Sequence, residues 1–185
     1  MYELVKGRPD TNEGRLDKEI RVYDLLDKLN IDYERVDHEE ANTIEACEKV
    51  EIALGEGTSI CKNLFLCNSQ KTKFYLLMMP GRKVFKTKDL SKQINSARLS
   101  FAGAEFMEKF LDITPGSVSV MGLMNDTENQ VQLLIDREVM EPEFFACHPC
   151  MNTSSIKLKC KDVLEVYLPR VLHEPIFVEL PSGEE

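Results

Sequence analysis

The chain has no apolar run long enough to span a bilayer: its most hydrophobic stretch, Phe74 to Met79, is far shorter than the roughly 20 residues a spanning helix needs. The N-terminus carries Glu3, Lys6, Arg8 and Asp10 in place of the apolar stretch of a secretory signal. A cytoplasmic protein without a membrane role is expected. Excess positive charge is also missing. The net charge is −9, which excludes broad, non-specific affinity for nucleic acid phosphates. Lys71, Lys73, Arg82, Lys83, Lys86 and Lys88 cluster locally, but read as a solvated loop and helix face. There is no Gly-Lys-Ser/Thr ending after Gly116 and Gly122, hence no P-loop. Ser117 and Ser119 lack a Gly-x-Ser-x-Gly elbow, so a serine-hydrolase triad is not expected. Cys147-x-x-Cys150 has no second pair to complete a zinc site, so no metal and no cofactor is predicted. Without a secretion signal the six cysteines are expected to be reduced, with Cys47, Cys61 and Cys67 in apolar surroundings. No repeat and no Pro- or Gly-rich linker divides the chain, so residues 1–185 form one domain, with a frayed tail at 181–185.

What is present is a mixture of helical and strand periods. Leu16, Ile20, Tyr23, Leu26 and Leu29 recur at helical spacing, with Asn30 as the stop. Asn42 and Glu45 form a capping-box pattern opening a second helix, whose apolar side holds Ile44, Cys47 and Val50. Asp89 to Ile94, Ala104 to Leu111 and Lys161 to Leu168 also read as helices. Strands are predicted at Tyr33–Val36, Asn63–Cys67, Lys73–Met79, Val118–Met121, Val131–Asp136, Phe144–Cys147 and Ser155–Lys159, with a hairpin across 68–72. Strands outnumber helices and do not alternate regularly with them, which argues for an α+β fold over a wound parallel sheet.

Chemistry concentrates in three segments. His148-Pro149-Cys150-Met151-Asn152 could shape a pocket, hold a redox dithiol with Cys147, or supply half a metal site. Lys62 opens the apolar run Asn63-Leu64-Phe65-Leu66, where its charge could meet a phosphate or a carbonyl oxygen, or simply snorkel to solvent. Pro115-Gly116-Ser117-Val118-Ser119 offers close backbone approach to a ligand, or a turn into a strand. His38, in an acidic stretch, and His173 read as surface residues.

These segments, in this order, resemble the bacterial prolyl-tRNA editing family, also described as the YbaK/aminoacyl-tRNA-synthetase-associated domain. The matching residues are Lys62 to Leu66, Pro115 to Ser119 with Gly122, Leu123, Asn125 and Asp126, and His148-Pro149 with Asn152-Thr153. The resemblance runs from about Asp17 to Leu168 and is nearer the free-standing alanyl-tRNA(Pro) deacylases than the cysteinyl branch. Val120 departs from the proline that members often carry after the second serine, and the resemblance does not require Cys150. It implies a curved, mostly antiparallel mixed sheet or partial barrel flanked by helices. It also implies hydrolysis of the ester joining a small amino acid to the 3′ acceptor end of tRNA(Pro), with prolyl-tRNA synthetase as a further partner. Lys62, Gly116 and His148 would be catalytic, and Asn63, Ser117, Ser119, Pro149 and Asn152 would bind substrate. A cysteinyl-tRNA deacylase and a non-catalytic tRNA-binding module are the alternatives.

Overall fold

The computed structural model describes residues 1–183, the side chain of Ile44 excepted. The expected placement of Ile44 on an apolar helix face, and of Glu184 and Glu185 in a frayed tail, falls outside the described residues. Among the described residues nine strands form one open mixed sheet in the order β1-β2-β8-β7-β3-β4-β6-β9, with β5 pairing beside β3. The strands are β1 Leu4–Lys6, β2 Tyr33–Asp37, β3 Thr58–Asn68, β4 Phe74–Pro80, β5 Leu99–Phe101, β6 Val131–Asp136, β7 Phe144–Cys147, β8 Ser154–Lys159 and β9 Ile176–Val178. Antiparallel pairs join β1/β2, β2/β8, β7/β8, β3/β4 and β3/β5; parallel pairs join β3/β7, β4/β6 and β6/β9. The sheet is not closed into a barrel: its path ends at two unjoined strands, β1 and β9. Among the described residues no helix is long and apolar enough to cross a membrane.

All seven residues of β4 are buried, as a strand covered on both faces should be. Odd-numbered residues of β3, including Cys61, Phe65 and Cys67, join the larger core beneath the first and fourth helices, α1 (Asp17–Lys28) and α4 (Ala104–Leu111). Leu64 and Leu66 face a second core under α3 (Thr87–Gln93). This is the period-2 alternation of a strand, and it decides which way each residue of β3 can act.

Several local expectations change. On α1 the buried stripe is Glu19, Val22, Tyr23 and Leu26, while Leu16 is 52% exposed. Glu19 tolerates burial because Arg15 and the Tyr23 hydroxyl both bind its carboxylate. The cap of α2 (Ile44–Leu54) is Thr43 and not Asn42: its Oγ1 accepts the Ala46 N–H at 3.1 Å. Cys47 on α2 is exposed. The expected strand at Val118–Met121 is instead a 3-10 helix, Val120–Asn125. Ser119 starts it by accepting the Met121 N–H on its hydroxyl, a local bond that competes with strand pairing. The terminal helix opens at Cys160–Asp162, widens to a π-turn at Val163–Tyr167 and closes at Leu168–Arg170. Pro169 accounts for the wide turn, since it lacks an N–H and its ring clashes with the carbonyl four residues earlier.

Candidate functional site

Parallel pairing of β3 with β7 sets Ile60 opposite Ala146, and so brings the next residues, Cys61 and Cys147, to the same level. Beyond Cys147 the chain turns through 148–153 and returns as β8, where Ile156 faces Cys147. The turn is closed by His148, whose ring Nδ1 lies 2.8 Å from the Ser154 carbonyl oxygen. A carbonyl can only accept, so Nδ1 carries the proton and Nε2 is left with a lone pair. Burial pushes the His148 pKa below its usual value, and the nearby His38 adds to that.

The turn is anchored from beneath. The Ser154 hydroxyl lies 2.8 Å from Asp37 and 3.1 Å from Glu19, and the Arg15 guanidinium reaches Glu19, Asp37 and Ser154 together. Burial alone would raise the Asp37 pKa, but hydrogen bonds from Arg15, Ser154 and Arg35 outweigh it and hold the carboxyl low. The carbonyl that orients His148 thus belongs to a residue locked by charged groups.

His38 and Ser155 complete the constellation. The His38 ring lies 6.1 Å from that of His148, its Nδ1 is 2.7 Å from the Glu39 carbonyl, and its Nε2 is 2.9 Å from the Ser155 hydroxyl. The expectation of a surface residue fails for His38, which is 8% exposed. It fails for His173 too, buried against Asp126 at 2.9 Å. Acidic neighbours disguised His38. The signal was the alternation of β2 continued past Val36, which returns His38 to the buried side. Nothing local marked Ser155, because its partner lies 117 residues away.

Between these groups and α2 lies a cavity of about 200 Å³. Its apolar surface comes from Val50, Leu54, Ile60 and Ala146, with Cys47, Cys61 and Cys147; its polar surface comes from His38, Glu51, Asn63, His148 and Ser155. The structure therefore brings Asn63 and His148 to one cavity. The central loop stands behind it: Ser119 is fully buried, and Val120 and Met121 pack in the same core as Cys147. Gly116, at φ +89°, holds a backbone conformation that disfavours a side chain, and a Cβ there would stand 3.6 Å from the Asn152 amide nitrogen. Ser117 and Pro149 are buried outside the cavity lining, and Asn152 is half-buried beside Gly116. Lys62 was expected at the mouth of a strand. Because β3 begins at Thr58, it lies inside the strand instead, exposed, on the face opposite Cys61 and Asn63.

The thiols do not suit redox chemistry. All six cysteines are free. Burial pushes Cys147 up strongly and Cys150 up to about 12, which disfavours the attacking thiolate. Among the described residues no three His, Cys, Asp or Glu side chains are grouped to hold a metal ion.

Comparison with known proteins gives a consistent result. The model of the aminoacyl-tRNA editing domain family matches residues 38–166. The prolyl-tRNA editing protein ProX of Acetoanaerobium sticklandii is 31% identical over 151 residues, covering 82% of this chain and 91% of that one. The prolyl-tRNA synthetase associated domain-containing protein 1 of Danio rerio is 26% identical over 180 residues, 96% of each chain. A solved structure described as a candidate trans-editing enzyme for prolyl-tRNA synthetase superposes with a TM-score of 0.67 over 91% of this chain and 99% of that one. At 14% identity that likeness concerns the fold.

Proposed function

The chain belongs to the aminoacyl-tRNA editing domain family, and from that premise we propose that it is a free-standing trans-editing deacylase acting on alanyl-tRNA(Pro). The observation that carries this reading is the cavity beside His148. At about 200 Å³ it is smaller than the roughly 300–1,000 Å³ of common ligand pockets, and much of its lining is apolar. A small acyl group suits it.

The chemistry asks little of the protein. An aminoacyl ester is already activated, so placement and charge stabilisation suffice. The Asn63 amide and backbone N–H groups near His148 hold the carbonyl oxygen, and Gly116 lets the loop behind them approach Asn152 closely. A water oriented by the terminal ribose hydroxyl attacks, and the ester C–O bond breaks to release the amino acid and free tRNA. Lys62, exposed on the far face of β3, suits a phosphate of the acceptor end better than an oxyanion inside the cavity. Ser117, Ser119, Pro149 and Asn152 support the walls that seat the substrate.

The need for such an enzyme follows from a physical limit. A synthetase built for proline cannot strongly reject a smaller amino acid, since missing methylenes are worth only about 1–3 kcal/mol. A second, tighter site working alongside prolyl-tRNA synthetase corrects the error by steric exclusion. The test is incubation with alanyl-, cysteinyl- and prolyl-tRNA(Pro). Release of alanine with proline retained supports the reading, and preferential release of cysteine moves it to the cysteinyl branch. Retention of all three charges, with tRNA bound, would make the chain a non-catalytic module.

A further inference from the structure

We propose that the polar wall of the cavity is a receptor for the free α-ammonium group of the amino acid, so that the substrates are aminoacyl esters with an unblocked amine and peptidyl-tRNA is spared. The assignment rests on the editing reading and comes from counting hydrogen-bond donors.

The His148 ring proton is committed to the Ser154 carbonyl. Its Nε2 has no partner among the described residues, and no buried side-chain nitrogen or oxygen among them lacks one, so this lone pair is open to an incoming group. The His38 ring proton is likewise committed, to the Glu39 carbonyl. With the His38 imidazole neutral, the Ser155 hydroxyl donates its single proton to His38 Nε2, which leaves only oxygen lone pairs facing outward. Among the described residues Glu51 is the one carboxylate of the lining, and no Lys or Arg lines the cavity. Three acceptors of different kinds therefore surround the space. The exception is Asn63, whose Oδ1 takes the Cys61 thiol proton at 3.7 Å and whose amide N–H groups remain to donate.

An ammonium is the ligand group that matches such a wall, with three donors, no acceptor and a positive charge. A carboxylate or phosphate would meet lone pairs and a like charge. The carbonyl oxygen of the same ester falls to Asn63, so the two ends of the amino acid are read by opposite hydrogen-bond polarities. An acylated α-nitrogen loses both the charge and two of the three donors, which is how a nascent peptide would be rejected.

The experiment compares alanyl-tRNA(Pro) with lactyl-tRNA(Pro), in which a neutral hydroxyl replaces the ammonium without added bulk. Each rate is divided by that of spontaneous hydrolysis. The lactyl ester is expected to react about 10- to 100-fold more slowly, the loss that accompanies removal of a charge-assisted hydrogen bond. Equal normalised rates would overturn the assignment while leaving the deacylase intact. If neither ester is hydrolysed, the editing reading fails by itself, and the wall is tested separately by titrating ¹⁵N-histidine-labelled protein. Alanine amide should move the His148 Nε2 resonance and lactamide should not; an equal response to both, or none, overturns the assignment.

Discussion

Replacing Tyr167 by phenylalanine isolates the contact that holds the central loop against the terminal helix. Tyr167 is fully buried, and its hydroxyl donates to the Val120 and Met121 carbonyls at 2.9 and 3.0 Å. Both carbonyls belong to the 3-10 helix that Ser119 caps, and Val120 and Met121 share a core with Cys147 of the cavity wall. Phenylalanine keeps the ring, so little packing volume is lost. What disappears is one shared donor, and two buried carbonyls are left short of a partner. The penalty for such groups is about 1–3 kcal/mol. For a chain of this size that corresponds to a fall in Tm of roughly 2–12 °C. Urea unfolding followed by circular dichroism should show a lower midpoint with an unchanged slope, the sign of lost stability without a change in exposed surface. A variant within about 0.5 kcal/mol of the parent would refute the reasoning, because surface substitutions already span that range.

Two further outcomes are expected. Lys62→Ala should lower kcat/KM for the aminoacyl-tRNA by about 2- to 5-fold in a protein with unaltered unfolding, the loss of one exposed phosphate contact, and should weaken the salt dependence of binding; an unchanged kcat/KM and salt dependence would remove Lys62 from the site. Acid should weaken the fold through Asp126. Burial alone would raise its pKa, but the His173 ring and the Gln130 and Val131 N–H groups outweigh it and hold the carboxyl below the usual carboxylate range. A depressed folded pKa means the stabilisation is complete above the unfolded value and drains away as pH falls through the folded one. Asp126→Asn should therefore cost about 1.5–3 kcal/mol near neutrality, with the gap to the parent narrowing below about pH 4 in pH-resolved unfolding. A gap that stays constant down to the lowest accessible pH would contradict the assignment.

How much was legible in the residues differs from element to element. The hydrophobic run of β4 and the strand at Val131–Asp136 were readable because their side chains alone encode burial. The short strands β1, β5 and β9 were not, since three-residue segments carry too little pattern to separate a strand from a loop. The central loop misled because Val118 to Met121 looks strand-like, whereas one serine hydroxyl bonding two residues ahead turns it into a 3-10 helix. His148 and Asn63 could be nominated from the chain, and the cavity contains both. His38, Ser155 and Glu51 could not be grouped with them.

From the sequence alone came the mixed fold class, most helices and long strands, and the resemblance carried by Lys62, the 115–126 loop and His148, because these depend on side-chain identity and near-neighbour spacing. Tertiary structure alone decided the face on which each acts. Starting β3 at Thr58 sends Lys62 and Asn63 to opposite sides, and pairing β2 with β8 places His38 on Ser155. Side chains alternate along a strand with a period of two, so where a strand begins and which strand it meets determine what its residues can touch.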